Sequence, residues 1–215
     1  MDPTIEIIRY VLSTMGALIP IVNPFSTAPL LLSLTTSFTA EERLSVVRRA
    51  CVYMFCILAA FLVAGGLIMQ FFGISIPGLR IAGGVVIAYV GFGMLFPAPV
   101  PRSSADAEPS PQRDVAFTPL AIPSLSGPGS IAVVIGMSST AQASDYVILR
   151  HALIAVGIAL TALFCYFVLK RASGLAKRLG PSGVGAMTGI MGFLLICIGI
   201  QFMINGISQL VGGLG

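Results

Sequence analysis

Two short stretches hold the residues best placed to do chemistry in an otherwise apolar chain. Asn23 to Pro29 reads NPFSTAP, and Ile122 to Pro128 reads IPSLSGP. Each is a Pro-x4-Pro frame around small hydroxyl residues. Proline removes a backbone donor and interrupts a helix, at roughly 3 kcal/mol in a helix interior. In hydrocarbon, freed backbone groups survive only inside protein or beside water. A break repeated in two places points to use. After each one a half-helix is expected, over 29–34 and 129–135. Its first amides have no intrahelical partner and form the positive end of the helix dipole, so they attract carboxylates and other anions. Ser26, Thr27, Ser124, Ser126 and Ser130 add hydroxyls, Asn23 adds a carboxamide, and Gly127 and Gly129 allow close approach to the backbone. With Pro24, Pro29, Pro123 and Pro128 these form the expected substrate-binding set. The plainer alternative is two Pro-kinked helices bent for packing.

The other polar residues narrow the chemistry. All eight acids lie near the ends of apolar runs or between them. No carboxylate relay is expected inside a span, and a cationic substrate would find no counter-charge. A small zwitterion or neutral solute fits better, its carboxylate on half-helix amides and its ammonium on freed carbonyls. His151, the single histidine, starts an apolar run and reads as interfacial. Arg80 lies about one turn inside the third apolar run, where it could snorkel to headgroups or act as a gate that attracts carboxylates. Gln201 and Asn205 share a helix face. The four cysteines have no zinc-ligand spacing with histidine and read as small core residues. HExxH, GxSxG and GxxxxGK[ST] are absent, so no enzyme, metal or cofactor is expected.

The elements that position these residues follow from composition. Of 215 residues, 56% are hydrophobic and 9% charged, with a mean hydropathy of +0.99. Soluble domains carry about 25% charged residues, so lipid must cover the surplus apolar surface. The net charge of +4 reads as membrane anchoring rather than nucleic-acid binding. The first ten residues carry acids and no basic leader, so the first apolar segment is expected to stay. Against ~20 residues per spanning helix, the apolar runs give six segments: 8–36 (broken at Asn23-Pro24), 50–72, 79–97, 115–140 (broken at Pro123), 152–170 and 184–205. Thr39 to Glu42, TAEE, is a capping box expected to open an interfacial helix. Gly185 to Gly189, GAMTG, reads as a small-xxx-small packing contact.

The chain divides into a first repeat at 1–97, a Pro- and Ser-rich cytoplasmic linker at 98–113 and a second repeat at 114–215. The broken motifs correspond. Arg48 lies opposite Arg150, and Gly84 and Gly91 lie opposite Gly192 and Gly199. Three spans per half means that the halves enter the membrane from opposite sides, an inverted-topology repeat frequent in secondary transporters. With six spans and the N-terminus outside, nine Lys and Arg fall inside and three outside. Both termini are then periplasmic. The expected fold is an all-α membrane protein of six transmembrane helices, the first and fourth discontinuous.

NPFSTAPLLLSLT, GISIPGLRIAGG, GFGMLFP, PLAIPSLSGPGSIAVVI and MGFLLICIGIQFMINGI closely resemble the MarC family of bacterial inner-membrane proteins. The resemblance covers nearly the whole chain except 98–113. The family is similar in organisation to the lysine-exporter superfamily, and some relatives transport small neutral amino acids such as glycine and alanine. Its first broken motif, N-P-x-x-x-x-P, falls on Asn23, Pro24 and Pro29, and its second on Pro123, Ser126, Gly127, Pro128 and Gly129. The resemblance implies a multi-pass protein of the bacterial inner membrane, with membrane lipid and a small-molecule substrate as partners and no nucleic acid. A secondary transporter, with export the expected direction, competes with a non-transporting sensor or assembly partner and with efflux of another small solute. The sequence does not specify the oligomeric state.

Overall fold

The computed structural model describes residues 3–96, 114–142 and 146–212, so the linker expected at 98–113 lies outside the described residues. Helix α1 spans Pro3–Val22, α2 Pro24–Leu34, α3 Ala40–Phe72 and α4 Ile76–Leu95. A loosely wound segment, Ala116–Leu125, follows, and then α5 Pro128–Gln142, α6 Val147–Lys170 and α7 Ala172–Gly212. No strand occurs among the described residues.

Local chemistry sets most of the boundaries. Thr39 and Glu42 form the expected capping box: Thr39 Oγ1 accepts from the Glu42 amide at 3.2 Å, and Glu42 Oε2 accepts from the Thr39 amide at 2.8 Å. The helix it opens runs unbroken into the span and stops at Gly73, whose φ of 64° suits glycine. Ser75 caps α4, accepting from the Gly78 amide at 3.2 Å. Helix α7 turns at Gly180 (φ 64°, ψ 175°) before its apolar stretch.

Among the described residues, four helices are long and apolar enough to cross a membrane: Ala40–Phe72, Ile76–Leu95, Val147–Lys170 and Gly185–Gly212. A fifth crossing is available to Ile7–Val22 with Pro24–Leu34, a pair bent by 44°. Helix α5 has 15 residues. At 1.5 Å per residue it reaches ~22 Å, short of the ~30 Å hydrocarbon core. The segment before it is wound differently from a simple kink at Pro123. Thr118 (φ −128°, ψ 122°) and Ile122 (φ −121°, ψ 125°) are extended. Each precedes a proline, whose ring excludes the helical region for its neighbour.

Leu18, Leu31, Met54, Leu58, Ile87, Leu120, Leu125 and Ile154 are fully buried, in a core shared by both halves of the chain. Val63, Leu67 and Phe71 on α3 and Ile148 on α6 remain exposed, as expected of lipid-facing positions. Lipid tails are as apolar as these side chains, so close packing rather than hydrophobicity draws the helices together.

The most extensive pairing is α4 with α7. A Cβ on Gly84 would lie 2.5 Å from the Gly199 carbonyl oxygen, and one on Gly199 2.5 Å from that of Gly84. Gly91 and Gly192 repeat the arrangement at 2.6 and 2.8 Å. The partners run in opposite sequence order, so α4 and α7 are antiparallel. By contrast, among the described residues a Cβ on Gly185 meets nothing within 4 Å and one on Gly189 meets only Leu95 Cδ1 at 3.9 Å, so GAMTG makes no close-packing contact with them. Gly93 is likewise open.

Other packing partners exchange in pairs. Helix α1 packs on α6, and the 116–125 segment packs on α3. Helix α2 packs on α6 and α7, and α5 packs on α3 and α4. Helix α3 pairs with α6 as α4 does with α7.

Candidate functional site

The first break is made by Asn23. It adopts the left-handed conformation (φ 38°, ψ 74°), which asparagine tolerates better than most residues. Its Oδ1 accepts from the Ser26 amide at 3.3 Å, and its backbone carbonyl accepts from the amides of Ser26 and Thr27 at 3.2 and 3.4 Å. The same carbonyl takes the Ser26 and Thr27 hydroxyls at 3.0 and 3.3 Å. Helix α2 therefore begins at Pro24, not at Pro29. Pro24 occupies the first turn, where its missing N–H removes no helix bond. Pro29 lies inside the helix and deprives the Phe25 carbonyl of its usual amide partner. The expectation that the first half-helix presents bare amides does not hold for Ser26 and Thr27, whose amides Asn23 occupies. Its Nδ2 points to Met94 Sδ, 3.9 Å away.

The second break is less satisfied. The Ser126 amide reaches back to the Ala121 carbonyl at 2.8 Å, and helix α5 starts at Pro128. The Ser126 side chain is 1% exposed, yet its hydroxyl has no hydrogen-bond partner among the described residues. Ser130, one turn into α5, is also buried. Gly127 is half-buried. Gly129 was expected to admit a ligand, but a Cβ there would meet Ile87 Cγ1 at 2.8 Å and Ile21 Cγ2 at 3.2 Å. Its missing side chain makes room for protein rather than solute.

The two breaks meet. Thr27 Oγ1 and Ser124 Oγ lie 2.7 Å apart, although 97 positions separate them in sequence. The hydroxyls of one motif thus touch those of the other inside the helix bundle. Asn23, Thr27 and Ser126 are all at most 2% exposed.

Arg80 lies apart from this contact. It lines a cavity of about 340 Å³ with Tyr10, Ser13, Thr14, Val133, Gly136, Met137, Thr140, Phe202 and Asn205. Val133 on the cavity wall is three residues beyond Ser130 on α5, so the cavity descends to within about one helical turn of the second break. Arg80 Nη2 donates to Thr140 Oγ1 at 3.4 Å. Gln201 Nε2 donates to Asn205 Oδ1 at 2.9 Å, as their spacing predicted. Sequence reasoning missed Tyr10, Ser13, Thr14 and Thr140. The available signal was the run of hydroxyls within apolar segments.

His151 is a tie between helices. Its Nε2 lies 3.0 Å from Ser138 Oγ, which donates to the Leu62 carbonyl at 2.8 Å. This joins α6 and α5 to α3. No group of three or more metal-ligating side chains occurs among the described residues.

Apolar helices long enough to cross a bilayer, with two polar breaks joined inside the bundle, define an integral membrane protein. The chain belongs to the MarC family: the model described as "MarC family integral membrane protein" matches residues 8–211. It is 39% identical over 203 residues to the inner membrane protein MarC of Escherichia coli K12, with 90% of this chain and 92% of the relative covered. The proteins of that name from Shigella flexneri and Escherichia coli O1:K1 match to the same extent. No solved structure matches the chain.

Proposed function

We propose that the chain is a secondary transporter of small neutral amino acids such as glycine or alanine, with export the expected direction. The solute is held where the two breaks meet. The observation that carries this reading is the 2.7 Å contact between Thr27 and Ser124, one hydroxyl from each broken motif. The Ser126 hydroxyl, two residues along from Ser124 and without a partner among the described residues, supports the reading, because a buried donor left free is costly unless something binds it. On this view the 116–125 segment and α5 together complete a sixth crossing. The exchange of packing partners between halves and the antiparallel α4–α7 pair support two inverted repeats. Alternating access would come from one repeat moving against the other about the breaks.

The name shared by the relatives supports residence in the bacterial inner membrane, and the charge bias supports periplasmic termini. The protein is read as neither an enzyme nor a nucleic-acid binder, with lipid and the solute as its partners. The test is counterflow: proteoliposomes loaded with unlabelled glycine or alanine should accumulate the labelled form. No accumulation across the neutral amino acids by correctly inserted protein would overturn the reading in favour of a non-transporting role.

A further inference from the structure

We propose that the Arg80 cavity is a second, recognising site on the solute path, built for an α-amino-acid zwitterion. The proposal rests on the transport reading above and names the chemistry that selects the substrate. Arg80 is the only charged residue among the described residues lining the cavity, and none of these is acidic. Its hydrogen bond to Thr140 is long, at 3.4 Å. A guanidinium in a concave site without a carboxylate has its fork of donors available for one. The Tyr10 ring on the cavity wall also carries a cation, the Arg150 guanidinium 5.6 Å from its centre.

The hydroxyls supply the opposite chemistry. Ser13 Oγ and Thr14 Oγ1 donate to the Tyr10 carbonyl at 2.8 and 3.0 Å, and Thr140 Oγ1 donates to the Gly136 carbonyl at 3.0 Å. Each hydroxyl carries one hydrogen. With that hydrogen spent on its own helix, the Ser13 oxygen offers only lone pairs to the cavity, and so does the Thr140 oxygen with the lone pair that Arg80 leaves it, whereas Thr14 is 0% exposed and serves the wall. Lone pairs suit an ammonium group, which has three donors and no acceptor. The cavity therefore has a cationic donor for a carboxylate and acceptors for an ammonium. Its volume of about 340 Å³ sits at the low end of the ~300–1,000 Å³ range of small-molecule pockets, as a small solute requires.

The test is equilibrium binding to the purified full chain in nanodiscs, with glycine, glycine methyl ester (no carboxylate) and N-acetylglycine (no ammonium) as probes. Wild-type protein should bind glycine at least about tenfold more tightly than either analogue, the worth of one charged hydrogen bond. Arg80→Gln should weaken glycine by a similar factor and remove the preference over the methyl ester. Thr140→Val should reduce the preference over N-acetylglycine. These preference ratios are read on folded protein, so they do not depend on how stable each variant is. An unchanged glycine-to-ester ratio in Arg80→Gln would overturn the proposal while leaving intact a reading supported by counterflow. Loss of glycine binding on adding phosphatidylethanolamine to the discs would also overturn it, making a lipid headgroup the occupant. Neither binding nor counterflow in the wild type would remove this site and the transport reading together.

Discussion

Ser126→Ala separates a structural role from a functional one. The hydroxyl is buried, with the side chain 1% exposed, and it bonds nothing among the described residues. An unsatisfied buried polar group costs about 1–3 kcal/mol. Removing one oxygen leaves a void worth only about a few tenths of a kcal/mol at ~24 cal/mol per Å³. The substitution should therefore stabilise the empty protein by about 1 kcal/mol or more, which raises Tm by roughly 2–4 °C for a chain of this length. If the solute is held at the breaks as proposed, the same change removes a hydrogen bond to it, and counterflow should fall by about tenfold. The assays are thermal unfolding of purified protein in detergent and counterflow in proteoliposomes at matched insertion. A variant that loses stability would show that the hydroxyl serves the fold. A stabilised variant with wild-type counterflow would show that the solute does not use it.

The remaining predictions concern the frame of the site. Gly84→Ala places a Cβ 2.5 Å from the Gly199 carbonyl oxygen and should cost about 1–3 kcal/mol of stability. Gly93→Ala on the same helix meets nothing within 4 Å and should be neutral; equal Tm values for the two would refute the seam. Asn23→Gly keeps access to the left-handed conformation and loses only the side-chain cap. Asn23→Ala adds a backbone penalty of roughly 1–2 kcal/mol, so it should unfold at lower temperature than Asn23→Gly, and the reverse order would contradict the cap geometry.

Much of the frame was legible because its signals are local. The capping box needs only Thr39 and Glu42, and the first break needs only Asn23 ahead of Pro24, since Pro20 and Pro29 sit inside helices. The spacing of Gly84 and Gly91 matched that of Gly192 and Gly199 as equivalent positions of two repeats; the structure brings the four into contact in the crossed order, Gly84 on Gly199 and Gly91 on Gly192. What the sequence concealed depends on tertiary direction. Asn23 has the composition of a solute ligand, but its φ of 38° turns the side chain back onto α2. Gly129 has the composition of a ligand-approach glycine, but Ile21 and Ile87 from other helices fill its space. Proline identity predicted the break at Pro123, which falls on Ile122 just ahead of it, but the second departure from helical geometry, Thr118 ahead of Pro119, was not expected. The Arg80 cavity was invisible because its walls come from four helices far apart in sequence.

The central claim is that the two breaks meet at the solute and must part for it to pass. The most direct measurement joins them: Thr27→Cys with Ser124→Cys in a background stripped of the four native cysteines. The parent hydroxyl oxygens are 2.7 Å apart, within reach of the ~2.05 Å sulfur–sulfur bond after a small adjustment. The account predicts that the pair cross-links readily, that oxidised protein shows no counterflow of glycine or alanine, and that reduction restores it. Full cross-linking with undiminished counterflow would contradict the account.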